Sequence, residues 1–155
     1  MKLTRFQNKK YLFELEKGEK ELLTLVLRLY PVIPSAHQPV SKSLAPGDNP
    51  NQHLLDEALA EQRNENKKLV ENLLSDKRHF SETQGSWRLK LTPEEIEWLL
   101  QVLNDVRVGN WILLGSPDEE VWHSEPDDQN APYIWAMDLA GSFQVDLLEA
   151  ISKTK

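Results

Sequence analysis

The stretch Leu91–Leu114, LTPEEIEWLLQVLNDVRVGNWILL, decides the reading of this chain. Thr92 stands where an N-cap belongs, Pro93 occupies the first helical position, and Glu95 the third. The hydroxyl and the carboxylate can each satisfy one of the amides that a helix start leaves without partners. Ile96, Leu99, Leu100, Leu103, Val106 and Leu114 then fall on one face at about 100° per residue. Gly115 and Pro117 end the helix. Trp98, Val102, Val108 and Ile112 occupy the rear side, so the helix is apolar nearly all round and belongs at the centre of the molecule. Its second face needs cover from a small sheet or another subunit. Arg107 and Asn110 interrupt the main apolar face.

Working outward, Leu3–Phe6 and Tyr11–Leu15 alternate as two short strands around the polar run Gln7–Lys10, which predicts a hairpin. A helix is expected over Glu19–Tyr30, between Gly18 and Pro31. Residues 31–50 hold five of the nine prolines and read as an irregular loop draped over the core. A second long helix is expected from Asn51 to Lys77, with Leu55, Ala58, Leu59, Leu69, Val70, Leu73 and Leu74 sharing a face, and Gln62 and Asn66 near its middle. Trp87–Leu91 alternates as a third strand, paired with the hairpin because three strands are far more stable than two. An acidic loop from Asp118 to Asp128 precedes a last helix, Pro132–Ile151, whose buried face holds Tyr133, Met137, Ala140, Phe143, Leu147 and Ile151 with Gln144 among them. Trp135 stands on the back of that helix and reads as an interface residue, as Trp98 does if another subunit covers it. The pattern predicts one domain over 1–155, α+β and mainly α. About four helices pack orthogonally or as a bundle against a small antiparallel sheet, the N-terminal hairpin plus a strand near 87–91.

Composition narrows the function classes. The formal net charge is −7 and the pI about 5.1, which disfavours nucleic acid as a partner. Without cysteine there is no disulfide, no thiolate nucleophile and no cysteine-held zinc. No apolar run is long enough for a bilayer, and MKLTRFQNKKYLFEL lacks the apolar core of a signal peptide, so the chain reads as cytoplasmic with no membrane partner. The four histidines have no metal-ligand spacing; His53 and Glu57 read as a solvated i,i+4 contact. No GxSxG, HExxH, P-loop or GxGxxG motif is present, and no cofactor is called for.

The remaining chemistry lies in polar residues within apolar helix faces: Gln62 and Asn66, Arg107 and Asn110, and Gln144. A buried guanidinium keeps its charge and needs acceptors and a countercharge, for which Asp138, Asp146 or Glu57 are the expected partners; Asp105 lies on the opposite side of its helix. Such a cluster either fixes helix register or, with Arg107 at its centre and Asn104, Asn110 or Gln144 beside it, captures a small carboxylate or phosphate.

The helix quoted first resembles the hallmark helix of a bacterial family catalogued as domain of unknown function 2017. Trp98-Leu99, then Leu103-Asn104-Asp105, then Arg107 carry the resemblance. The pattern Gly141-x-Phe143-Gln144 is similar to that family's last helix, and Glu61 with Arg63 to its middle helix. Two positions depart from the family: Leu139 stands where an aromatic is usual, and Ser116 where a basic residue is. The resemblance implies no established activity. Some members are encoded beside the adaptor of the Clp protease, which implies at most an association with regulated proteolysis. The absent catalytic motifs, the acidic charge, the proline-rich loop and the off-face tryptophans make a non-enzymatic helical binding or adaptor protein the leading expectation, with a protein partner or a second copy of itself. The alternative is a small anion- or carboxylate-binding protein or enzyme centred on Arg107.

Overall fold

A computed structural model describes residues 1–33, 50–118 and 127–155. Two hairpins build one antiparallel sheet: β1 (Lys2–Gln7), β2 (Lys10–Glu16), β3 (Phe80–Thr83) and β4 (Ser86–Leu91), in the order β1-β2-β4-β3. Four helices accompany it among the described residues: α1 (Lys17–Arg28), α2 (Pro50–Ser75), α3 (Pro93–Leu113) and α4 (Ala131–Thr154). The mainly helical α+β architecture expected from the sequence is the one observed. The proline-rich loop and most of the acidic loop lie outside the described residues.

Both hairpins turn on two residues with positive φ, Asn8 and Lys9 in one, Gln84 and Gly85 in the other. That backbone matches the right-handed twist of the strands it joins. The second hairpin supplies a strand that the sequence reading lacked. β3 carries one buried side chain, Phe80, so it has no alternation to read.

β2 and β4 pair centrally, with Phe13 opposite Leu89 and Leu15 opposite Trp87. Tyr11, Phe13, Leu15, Leu89 and Leu91 line the inner face and join one core with Leu23, Val26 and Leu27 of α1, Ile96, Leu99, Val102, Leu103 and Val106 of α3, and Ala140, Phe143 and Leu147 of α4. Each fully buried leucine contributes about 1.5–3 kcal/mol. α3 begins as its sequence demands. Thr92 Oγ1 accepts from the Glu95 amide at 3.2 Å, and the Glu95 carboxylate accepts from the Thr92 amide at 2.8 Å. The Glu94 carboxyl in the same turn is held below its usual range by its own backbone N–H and by Thr92. At the other end Gly115, with φ of 88°, lets the Ser116 and Gly115 amides fold back onto the carbonyls of Trp111 and Ile112.

α1 starts two residues before the expected Glu19 and includes Gly18, because the Glu19 carboxylate accepts from the Glu16 backbone N–H and draws the start forward. α2 runs without a break, but its stripe outlasts the core. Asn66, Val70 and Leu73 are buried, whereas Leu55 and Leu59 continue the same stripe at 50% and 39% exposure. Leu54 is more exposed still, at 64%. The stretch from 50 to 59 thus carries the stripe past the core by about 15 Å at 1.5 Å per residue. On the rear of α3, Val102 is buried and Trp98 is half-buried against the core, while Val108 and Ile112 reach solvent. The final helix buries Ala136 and Ala150 and leaves Tyr133 and Ile151 at its margins. Among the described residues, no helix is long and apolar enough to cross a membrane.

Candidate functional site

The polar residues expected to form one cluster separate into two. The first lies between α3 and α4. Arg107 Nη1 donates to Gln144 Oε1 at 2.9 Å, and Gln144 Nε2 donates to the Leu100 carbonyl at 3.2 Å. Gly141 lies beside the guanidinium, whose Nε would be at an ordinary contact distance of 3.6 Å from a Cβ built there. Arg107 is half-buried and, among the described residues, has no ion pair within 4.0 Å. The carboxylate expected beside it is not there: Asp146 pairs with the Met1 ammonium at 3.2 Å, and Asp138 and Glu57 are exposed. Partial solvation and one neutral acceptor hold the charge instead. Asn110 is buried, but it satisfies itself by donating to Val106 O of its own helix at 2.7 Å. Asn104 is exposed.

The second cluster forms where α2 meets the end of α1. Gln62 Nε2 donates to Asn66 Oδ1 at 3.1 Å, and Asn66 Nδ2 donates to the Tyr30 hydroxyl at 3.3 Å. Gln62 and Asn66 therefore do not join Arg107, because α2 packs on α1 and β3 rather than on the α3–α4 seam. Arg63 and Asp105 border this cluster. Partial loss of hydration beside the protein raises the carboxyl of the exposed Asp105 above its ordinary range, offset in part by the Arg63 charge. Burial also raises the Tyr30 hydroxyl, against the pull of the Asn66 hydrogen bond and of Arg63. Close packing continues behind Tyr30, where a Cβ on Gly109 of α3 would come within 2.7 Å of Val32 Cβ.

Of the two tryptophans read as interface residues, Trp135 is 43% exposed on α4. Trp98 instead borders a groove of about 480 Å³ with Leu69 and Leu73 of α2.

The outer face of the sheet carries a feature that the sequence reading missed. Register places Arg5, Leu12 and Lys90 side by side on β1, β2 and β4, and Lys2, Glu14 and Arg88 in the next row. Three adjoining depressions, of about 630, 340 and 240 Å³, share Leu12 as a wall. Arg5, Lys10, Lys77, Arg78, Arg88 and Lys90 line them, a third of the chain's eighteen lysines and arginines. Among the described residues only Arg78 of these six has a carboxylate within 4.0 Å, Asp76 at 3.3 Å. The largest depression ends at His79, whose Nε2–H donates to Glu95 Oε1 at 2.6 Å and whose Nδ1 lies 3.3 Å from Asp76 Oδ2. This chain of contacts ties the start of β3 to the start of α3. The cations come from four separate segments, so no basic run marks them, and only strand register brings them together. Among the described residues, no group of three or more histidines and carboxylates is placed to hold a metal ion. No family model, curated protein or solved structure matches the chain.

Proposed function

We propose that this chain is a non-enzymatic helical binding protein of the adaptor kind, cytoplasmic, that docks a protein partner on the overhanging half of α2. One observation carries the reading: Leu55 and Leu59 extend the core-facing stripe of α2 past the end of the core. An apolar stripe on a helix, left in water beside a folded body, suits burial by another protein surface. The resemblance to domain of unknown function 2017 supports an association with regulated, Clp-type proteolysis. The test is capture of partners on immobilised wild-type protein and on a Leu55→Ser/Leu59→Ser variant. A partner retained by the first and lost from the second, both equally folded, supports the reading. Identical recovery on both contradicts it.

A second reading has its own observation, a half-buried Arg107 whose charge, among the described residues, meets only the amide of Gln144. A guanidinium with spare N–H donors and no countercharge among the described residues is suited to a carboxylate or phosphate ligand. Asn104, one helical turn before it on α3, faces solvent on the approach. Calorimetric titration with small carboxylates and with phosphate, repeated on Arg107→Met, tests it.

A further inference from the structure

We propose that the outer face of the sheet docks an acidic polypeptide segment carrying an apolar side chain among its carboxylates. The site is centred on Leu12, with Arg5, Lys10, Arg88 and Lys90 around it. In a chain of net charge −7, a third of the positive charges gather here, and apart from Arg78 they have no carboxylate within 4.0 Å among the described residues. Unpaired cations held together on a rigid sheet repel one another, and an anionic partner relieves that repulsion. Leu12 is a partly exposed apolar residue in the middle of this ring, where three depressions converge. Arg5 and Lys90 flank it at about 10 Å from each other, two inter-strand steps. A ligand must therefore present an apolar group with negative charge on either side. An extended peptide does this naturally: carboxylates two positions before and after the apolar residue stand about 14 Å apart, and flexible lysine and arginine stems reach the extra distance on either side.

The same face is poorly suited to nucleic acid. The outward positions of the four strands carry no aromatic side chain on which a base could stack. Glu14 stands between Lys2 and Arg88 in the second row and would oppose a phosphate track. A peptide can place a neutral or basic residue there.

The surface shares no residue with the α2 overhang, so its failure and that of the proposed function are read separately. The experiment is fluorescence anisotropy of the full chain with a labelled polyglutamate peptide bearing one central leucine. A peptide with central serine, a thymidine oligonucleotide and inorganic phosphate are the comparisons. The leucine peptide binds best, and its affinity falls about tenfold in Lys90→Glu, severalfold in Leu12→Ser, and with added salt. The Leu55→Ser/Leu59→Ser protein keeps full peptide affinity. Arg5→Glu, on a different strand, repeats the test should Lys90→Glu fail to fold. Absence of peptide binding, equal binding by wild type and the charge-reversed variants, or tighter binding of the oligonucleotide overturns the proposal. Equal affinity for the leucine and serine peptides overturns it as well, since the apolar side chain is part of the proposed ligand.

Discussion

Arg107 of α3 donates to the side-chain oxygen of Gln144 on α4 at 2.9 Å, and Gln144 passes the contact on to the Leu100 carbonyl at 3.2 Å. Thirty-seven residues separate the pair in the chain. The contact fixes how α3 and α4 are set against each other, because a slide of one turn would break both hydrogen bonds. The guanidinium keeps part of its hydration, so the link costs less than full burial of a charge and also contributes less.

Arg107→Met is therefore expected to lower stability by only about 1 kcal/mol, the usual net value of one such hydrogen bond. Urea denaturation checks this. A loss of several kcal/mol would mean that the guanidinium is a buried structural hub. Unchanged stability together with lost anion binding would favour the ligand reading.

Gly109 and Gly141 make a matched pair with opposite expected signs. A Cβ at Gly109 would lie 2.7 Å from the stiff, branched Cβ of Val32, whereas at Gly141 the nearest atom is the Arg107 Nε at an ordinary 3.6 Å. Replacing a helical glycine by alanine gains about 1 kcal/mol of helix propensity. Overpacking at Gly109 costs about 1–3 kcal/mol and outweighs that gain. Thermal melts should show Gly109→Ala destabilised and Gly141→Ala neutral or stabilised.

Asp105 sets a pH dependence. Its side chain is exposed, but the neighbouring protein removes part of the carboxyl's hydration and raises it above the ordinary 3.8, so the folded state holds that proton somewhat more tightly than the unfolded state does. The corresponding stability is fully present below the unfolded value and is lost as pH rises through the folded value. At neutral pH the ionised carboxylate is a small liability, limited by its exposure to water and by the Arg63 charge. Asp105→Asn should melt higher than wild type at pH 7, with the gain vanishing near pH 3. A gain of equal size at both pH values would contradict this.

Thr92→Ala removes the acceptor of the Glu95 amide at the start of α3 and should cost about 1 kcal/mol, measured by denaturant titration. Thr92→Ser, which keeps the oxygen, should recover most of it.

The start and end of α3 were legible because capping is local: Thr92, Pro93, Glu95 and Gly115 act on amides and carbonyls a few residues away. The hairpin at Asn8–Lys9 was legible for the same reason. β3 was not, because an edge strand that buries only Phe80 has no period. The polar residues were recognised one helix at a time, but periodicity gives a residue's angle on its own helix and not the neighbour that the angle meets. Thus Asn66 was placed correctly on its stripe, yet it reached Tyr30 rather than Arg107. The cationic face was hidden for a related reason, since Leu12 and Lys90 become neighbours only through the register of β2 against β4, one strand from each hairpin.

The most direct test of the docking role of α2 is site-specific photo-crosslinking in cells, with the photoreactive residue placed at Leu55, at Leu59 or, as a control, at exposed Glu149 of α4. The account predicts a discrete protein adduct from Leu55 and Leu59 and none from Glu149. No adduct from the two leucine positions, or the same adducts from all three, would contradict it.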